Sequence, residues 1–339
     1  MQPVDVKNIE PLGFQWKAYD PFLFCVHHED YFPKGTDFLG PAPSLLKGRN
    51  IGQDFTLKDG WRMYHGQHVP GFPSHPHRGF ETVTVVRKGL VDHTDSMKAA
   101  GRYGNGDVQW MTAGKGVQHA EMFPLVNQHE ENPMELFQIW LNLPRKSKLV
   151  EPHFKMLWAD TIPNYIHIDE NGRKTQVEVI AGKIETEVAP SPPPDSWAAT
   201  SQNEVAIWNI KMEAGASWQL PKTAAGINRT LYFYEGDALK AGETIIPAYH
   251  MASLTPNVDL KLQAPESDCS LLILQGKPIG EPVIHYGPFV MNTRQEIQDT
   301  FEEFRQTQFG GWPWPSYEPV HDQKGRFALH ADGRLETRK

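Results

Sequence analysis

Between Phe72 and Leu143 the chain never goes far without a turn: "FETVTVV", "GDVQWMT", "GVQHAEM" and "MELFQIWLNL" are runs of seven to ten residues, bounded by "RKG", "GRYGN", "AGK" and Pro144. Runs this short, rich in β-branched and aromatic residues and punctuated by Gly and Pro, read as strands. Their even spacing predicts a β-barrel or sandwich. The pattern restarts at "KTQVEVIAGKI" and continues over 204–276 as "EVAIWNIKM", "RTLYFYEG", "ETIIPAY", "MASLTP", "VDLKLQA" and "CSLLILQG". Two β units in tandem are expected. With 28 Gly and 28 Pro in 339 residues, long helices are disfavoured throughout.

The two series look like a diverged duplication. "RGFETVTVVRKG" (78–89) and "INRTLYFYEG" (227–236) each give a strand ending in a tight Gly turn. Upstream of these the first copy has "HPH" where the second has "TAAG"; later the first has "HAE" where the second offers only His250. The expected organisation is a first β unit over 1–150, a second over 151–285, and a helix with a polar tail or small hairpin over 286–339. The Pro-rich "VAPSPPPDSW" (188–197) reads as a surface loop. Near the end, Thr293 with Glu296 forms a capping box, and Ile297, Phe301 and Phe304 follow at i, i+4, i+7 before Gly310-Gly311. This narrow apolar stripe predicts one helix docked on a barrel.

A formal charge of -8 and a pI near 6.0 argue against a nucleic-acid surface. The basic cluster "PRKSK" (144–148) reads as a solvated loop. The N-terminus lacks a basic stretch followed by an apolar one, and no run approaches membrane-span length, so no membrane partner and a cytoplasmic address are expected. Cys25 and Cys269 are far apart, without C-x-x-C spacing, so a disulfide framework or thiolate zinc site is not expected. Any metal has to be held by His and carboxylate.

Two candidate pairs remain, His75/His77 in "SHPHRG" and His119/Glu121 in "QHAEM". Residues at i and i+2 of a strand share a face, so two such strands in one barrel would aim three imidazoles and a carboxylate at one point. That donor set suits iron, manganese, nickel, copper or zinc. With fifteen histidines, however, roughly 0.7 His-x-His pairs arise by chance. His-x-Glu also recurs in "HHE" (27–29) and "HEE" (129–131), and His65 and His68 lie just upstream. Spacing alone leaves surface or hydrogen-bonded histidines as an equal reading.

The stretches "GFPSHPHRGFETVT", "GDVQWMTAGKGVQHAEM" and "YGPFVMNTRQEIQDTFEEFR" strongly resemble the pirin family of the cupin superfamily, in that family's order. The first cupin motif is nearly met by Gly71, His75, His77, Glu81 and Gly89, with Gly71 one residue too close. The second departs further, with "TAGKG" for Pro-x-Gly and Ala120-Glu121 after His119. The resemblance implies an all-β chain of two tandem cupin barrels, each a double-stranded β-helix or jelly roll, with a C-terminal helix. It also implies a metal centre of His75, His77, His119 and Glu121, a metal-free second barrel, and a structural or supporting role for Glu81. Iron(II) is the ion it implies, with nickel, cobalt, manganese, copper and zinc compatible with the same donors. The implied activity is quercetinase-type ring opening of a flavonol or related enol or phenol by O₂, with carbon monoxide released. The metal would take the substrate hydroxyl, and Glu121 would accept its proton as the catalytic base. The implied alternative is an iron-dependent redox sensor that regulates a protein partner.

Overall fold

The computed structural model describes residues 5–322 and 325–338. Strands dominate, and Arg294–Thr307 is the one α-helix among the described residues. Every run singled out above in the two series contains a strand. None of the described helices is long and apolar enough to cross a membrane.

Two compact units emerge, each of two chain segments. One comprises Val26–Ala159 with the described residues from Glu281 onward; the other comprises the described residues up to Cys25 with Asp160–Gly280. This division differs from the 1–150/151–285/286–339 reading because both chain ends pair non-locally. Val6–Pro11 runs antiparallel to His250–Leu254, and Arg326–Leu329 runs antiparallel to Ala100–Gly104. Pairings over such separations leave no trace in local periodicity.

In the Val26–Ala159 unit, one sheet orders His153–Leu157, Val108–Thr112, Phe80–Lys88, Asn132–Asn142 and Phe22–Phe32. The other orders Leu335–Arg338, Arg326–Leu329, Ala100–Gly104, Leu90–Asp95, Val117–Met122 and Gly71–His77. Successive strands Gly71–His77 and Phe80–Lys88 thus fall in opposite sheets, the jelly-roll arrangement. Between the sheets lies a core that includes Phe32, Trp61, Tyr64, Val86, Val91, Tyr103 and Phe123. The second sheet also buries charge: Arg102 forks onto Asp92 through two bonds of 2.7 Å. Leu90–Asp95 ("LVDHTD") consequently reads as polar in sequence although five of its six residues are buried.

The Asp160–Gly280 unit pairs a sheet ordered Val6–Pro11, His250–Leu254, Asn228–Glu235, Cys269–Gly276, Ala206–Met212, Lys174–Ala181 and Asn164–Ile168 with a four-stranded one. Its apolar core includes Val177, Trp208, Leu231, Phe233, Leu271 and Ile273, with Leu231 and Phe233, and Leu271 and Ile273, turned inward at alternate positions.

The predicted capping box is present, with Thr293 Oγ1 accepting from Glu296 N and the Glu296 carboxylate accepting from Thr293 N. Ile297, Phe301 and Phe304 pack on Phe289 and Met291, docking the helix as its stripe requires. The "PRKSK" loop is not wholly solvated. Lys148 is fully buried, donating to the carbonyls of Gly79 and Val290 and to Asn142 Oδ1 at 2.8–3.0 Å, and burial pulls its pKa down to about 8. Cys25 and Cys269 are both buried free thiols.

Candidate metal centre

The strands Gly71–His77 and Val117–Met122 are antiparallel neighbours, with His75 opposite His119 and His77 opposite Val117. His77 lies two residues beyond His75, and Glu121 two beyond His119, so the pleat sends all four side chains to one face. The register shifts between Phe72 and His75, a bulge-type irregularity just before the two histidines. At the start of that strand only a glycine fits Gly71's place. Its φ is +133°, and a Cβ there would lie 2.4 Å from the Glu121 carbonyl oxygen. Gly71→Ala therefore has to displace the strand that carries His119 and Glu121. The expected result is a loss on the order of 3 kcal/mol of stability, read by denaturant unfolding, with lowered metal content.

Three of the four candidate ligands converge. One ligand nitrogen from each of His75, His77 and His119 lies within 4.8 Å of the others, the arrangement of a group that could hold a metal ion. Their ring centroids are 4.5–4.8 Å apart. His75 Nδ1 lies 2.8 Å from the Pro73 carbonyl oxygen; donating to it leaves Nε2 as a lone pair. His77 Nδ1 and both ring nitrogens of His119 are buried without a hydrogen-bond partner. Orphaned polar atoms cost about 1–3 kcal/mol each when nothing satisfies them. Three inward-facing imidazoles with spare lone pairs fit a first-row divalent cation. Burial, reinforced by neighbouring imidazoles, keeps the rings neutral: His75 is pulled down to about 4, and His77 and His119 well below the usual histidine range.

Glu121 stands just outside that triad. Its Oε2 is 3.9 Å from His119 Nε2. Its carboxylate accepts from Thr84 Oγ1 at 2.9 Å, Gln138 Nε2 at 3.3 Å and Tyr103 OH at 3.5 Å. Burial raises its pKa, opposed by the His93 field and then by these hydrogen bonds. Glu81 is elsewhere: its Oε1 accepts from Thr112 Oγ1 at 2.6 Å across the adjacent strand pair.

The remaining histidine patterns have other environments. His28 Nδ1 lies 2.9 Å from Tyr64 OH, which donates to Asp30. His27 stacks on Phe137 near Glu135. His129, Glu130 and Glu131 are exposed, as are His65 and His68.

Sequence reading missed the groups around the triad. Thr84 and Gln138 were hidden in runs read only as strands, although a polar residue interrupting an apolar run is itself a signal. His93, fully buried, has its ring 5.6 Å from that of His119 and is held between Asp95 Oδ2 at 3.2 Å and Gln109 Nε2 at 3.3 Å. Aromatic walls flank the centre: Phe80 stacks on Trp140 at 3.9 Å, Trp140 meets His77 at 5.2 Å, and Phe72 lies 6.4 Å from His75.

Sequence comparison matches the profile described as "Pirin" to residues 11–141 and the "Pirin C-terminal cupin domain" to residues 207–310. A Pseudomonas aeruginosa protein named "Putative quercetin 2,3-dioxygenase" is 37% identical over 79% of this chain and 92% of its own length. A "Pirin-like protein" of Caulobacter vibrioides is 34% identical over 71% of this chain and 82% of its own. Among solved structures, a quercetin 2,3-dioxygenase from Acinetobacter baumannii superposes with a TM-score of 0.68 and 29% identity, over 91% of this chain and 96% of that one.

Proposed function

The chain belongs to the pirin family, and we propose that it is a metal-dependent dioxygenase that opens a flavonol, or a related enol or phenol, with O₂. The observation that carries this reading is a buried, hydrogen-bonded carboxylate beside three converging neutral imidazoles. The names of the Pseudomonas and Acinetobacter relatives support the substrate class. In this reading His75, His77, His119 and Glu121 hold the ion. A divalent ion there, iron(II) in our reading, supplies Lewis acidity that lowers a phenolic pKa and the redox capacity that O₂ chemistry requires.

The protein's own groups do the rest. Glu121 takes the substrate hydroxyl proton, and its raised pKa makes it a better resting place for that proton than a solvated carboxylate. Thr84, Tyr103 and Gln138 hold the carboxyl group in its orientation beside the imidazoles. Phe72 on the His75 side and Trp140 on the His77 side place aromatic rings beside the imidazoles, an apolar setting that suits a flat aromatic body. Full burial of the His119 side chain keeps bulk water from competing.

The test is anaerobic loading with iron(II), followed by quercetin and then air. Loss of flavonol absorbance with release of carbon monoxide, both dependent on the metal, is expected. Neither occurring would overturn the proposal.

A further inference from the structure

The Asp160–Gly280 unit has a cavity of its own. About 680 Å³ in volume, it is walled on one side by Val188, Pro190 and Pro192 of the Pro-rich segment and floored by Ala206 and Trp208. That volume lies within the range of small-molecule sites. The segment lies between the two pirin profile matches, 11–141 and 207–310, so it is outside what the profiles cover.

The wall is fixed before any ligand arrives. Ser196 caps the Trp197–Ala199 turn, Asn203 Nδ2 donates to the Trp197 carbonyl at 2.8 Å, and Trp197 Nε1 donates to the Lys277 carbonyl at 2.8 Å. Ala189 N donates to the Gly182 carbonyl at 2.9 Å. A Pro-rich chain pinned at both ends loses little entropy when something packs against it.

At the cavity lies Arg229. The residue pairs with Gln275, which pairs with Ala206. One register step further in, Leu231, Ile273 and Trp208 begin the apolar core. Arg229 thus puts a guanidinium at the boundary between cavity and core, where it is 4% exposed. Two of its donors are used: Nε on Gln275 Oε1 and Nη1 on the Pro221 carbonyl, both at 2.7 Å. Among the described residues Nη2 has no hydrogen-bond partner, and no carboxylate lies within ion-pair distance. Burial lowers its pKa only to about 10, so it remains a cation. Glu204, the nearby acid, favours that cation through its field, while its carboxylate is hydrogen-bonded to Thr223 Oγ1 and Ala224 N. A buried cation facing a cavity with donors to spare is costly unless an anion completes it.

We propose that this cavity binds a small apolar monocarboxylate, its carboxylate on the free edge of Arg229 and its hydrocarbon body against Val188, Pro190 and Trp208. A planar guanidinium edge matches a carboxylate's two oxygens. One cation with Glu204 close by suits a monoanion better than a phosphate dianion, and the apolar walls suit an apolar body. This site is independent of the metal centre and of the activity proposed for it.

The probe is 4-fluorobenzoate, titrated into the metal-loaded full chain and followed by its fluorine NMR signal, with 4-fluorobenzamide as the neutral control. Saturable binding of the benzoate is expected, about tenfold or more tighter than the amide. Arg229→Gln should weaken the benzoate by about tenfold or more. Because Arg229 is buried, Val188→Asp serves as the second variant. Val188 is 64% exposed, so the change spares the fold while placing an anion at the mouth; it should weaken the benzoate and leave the amide unaffected. His119→Ala should leave benzoate binding intact. The proposal is overturned by absent saturation, by equal affinity for acid and amide, by unchanged binding in both groove variants, or by loss of binding in His119→Ala.

Discussion

Purified His119→Ala is expected to carry less than about a tenth of the wild-type metal. Position 119 lies directly opposite His75 and beside His77, so its imidazole completes the triad. Both its nitrogens are buried without a protein partner, and nothing else among the described residues holds that ring's polar atoms. Removing it leaves two imidazoles from a single strand and a carboxylate already engaged by Thr84, Tyr103 and Gln138. Elemental analysis of the protein as purified reads the loss directly. A thermal melt separates it from misfolding, because metal added to stripped wild-type protein should raise Tm by mass action while leaving the variant unmoved. Full metal content in the variant would remove His119 from the site.

The sequence was most legible where local pattern and tertiary role coincide. Short turn-bounded runs such as "FETVTVV" and "CSLLILQG" identify strands because those residues really are buried along nearly their whole length. The capping box of Thr293 and Glu296 is equally local, which is why its reading and its geometry agree. "LVDHTD" gave no such signal. Its buried Asp92 is neutralised by Arg102, ten residues away, and its His93 lies between Asp95 and Gln109 at hydrogen-bond distance, so burial there follows partners rather than hydropathy. The same physics hid Lys148, whose ammonium group is satisfied by carbonyls from Gly79 and Val290. At the site, His-x-His and His-x-Glu were visible as pairs, but the facing of His75 and His119 depends on an antiparallel register with a bulge. The carboxylate's supports, Thr84 and Gln138, come from strands of the other sheet and become neighbours only on folding.

Glu121→Gln is expected to keep most of its metal and lose catalysis, with ring cleavage falling by about 10²–10⁴ as a positioned general base is removed. The surrounding groups explain why the two effects separate. Thr84 Oγ1 lies 2.9 Å from Glu121 Oε1 and 2.7 Å from Gln138 Oε1, so its single hydroxyl hydrogen has two acceptors to choose between. Ionised, the carboxylate accepts from Thr84, Tyr103 and the Gln138 amide. Protonated, it becomes a donor, and a rotated Thr84 hydroxyl with a flipped Gln138 amide accommodates the change without moving heavy atoms far. A glutamine at 121 can use the same adjustment: its oxygen still accepts from Thr84, and its NH₂ faces the flipped Gln138 carbonyl. Packing and hydrogen bonding therefore survive, and the three imidazoles remain to hold the ion. Only the capacity to take a proton is gone. Metal analysis and single-turnover consumption of quercetin on the same preparation read the two quantities independently. Undiminished turnover at full metal loading would mean that the proton goes elsewhere, whereas metal lost in parallel with turnover would make Glu121 a ligand first and a base second.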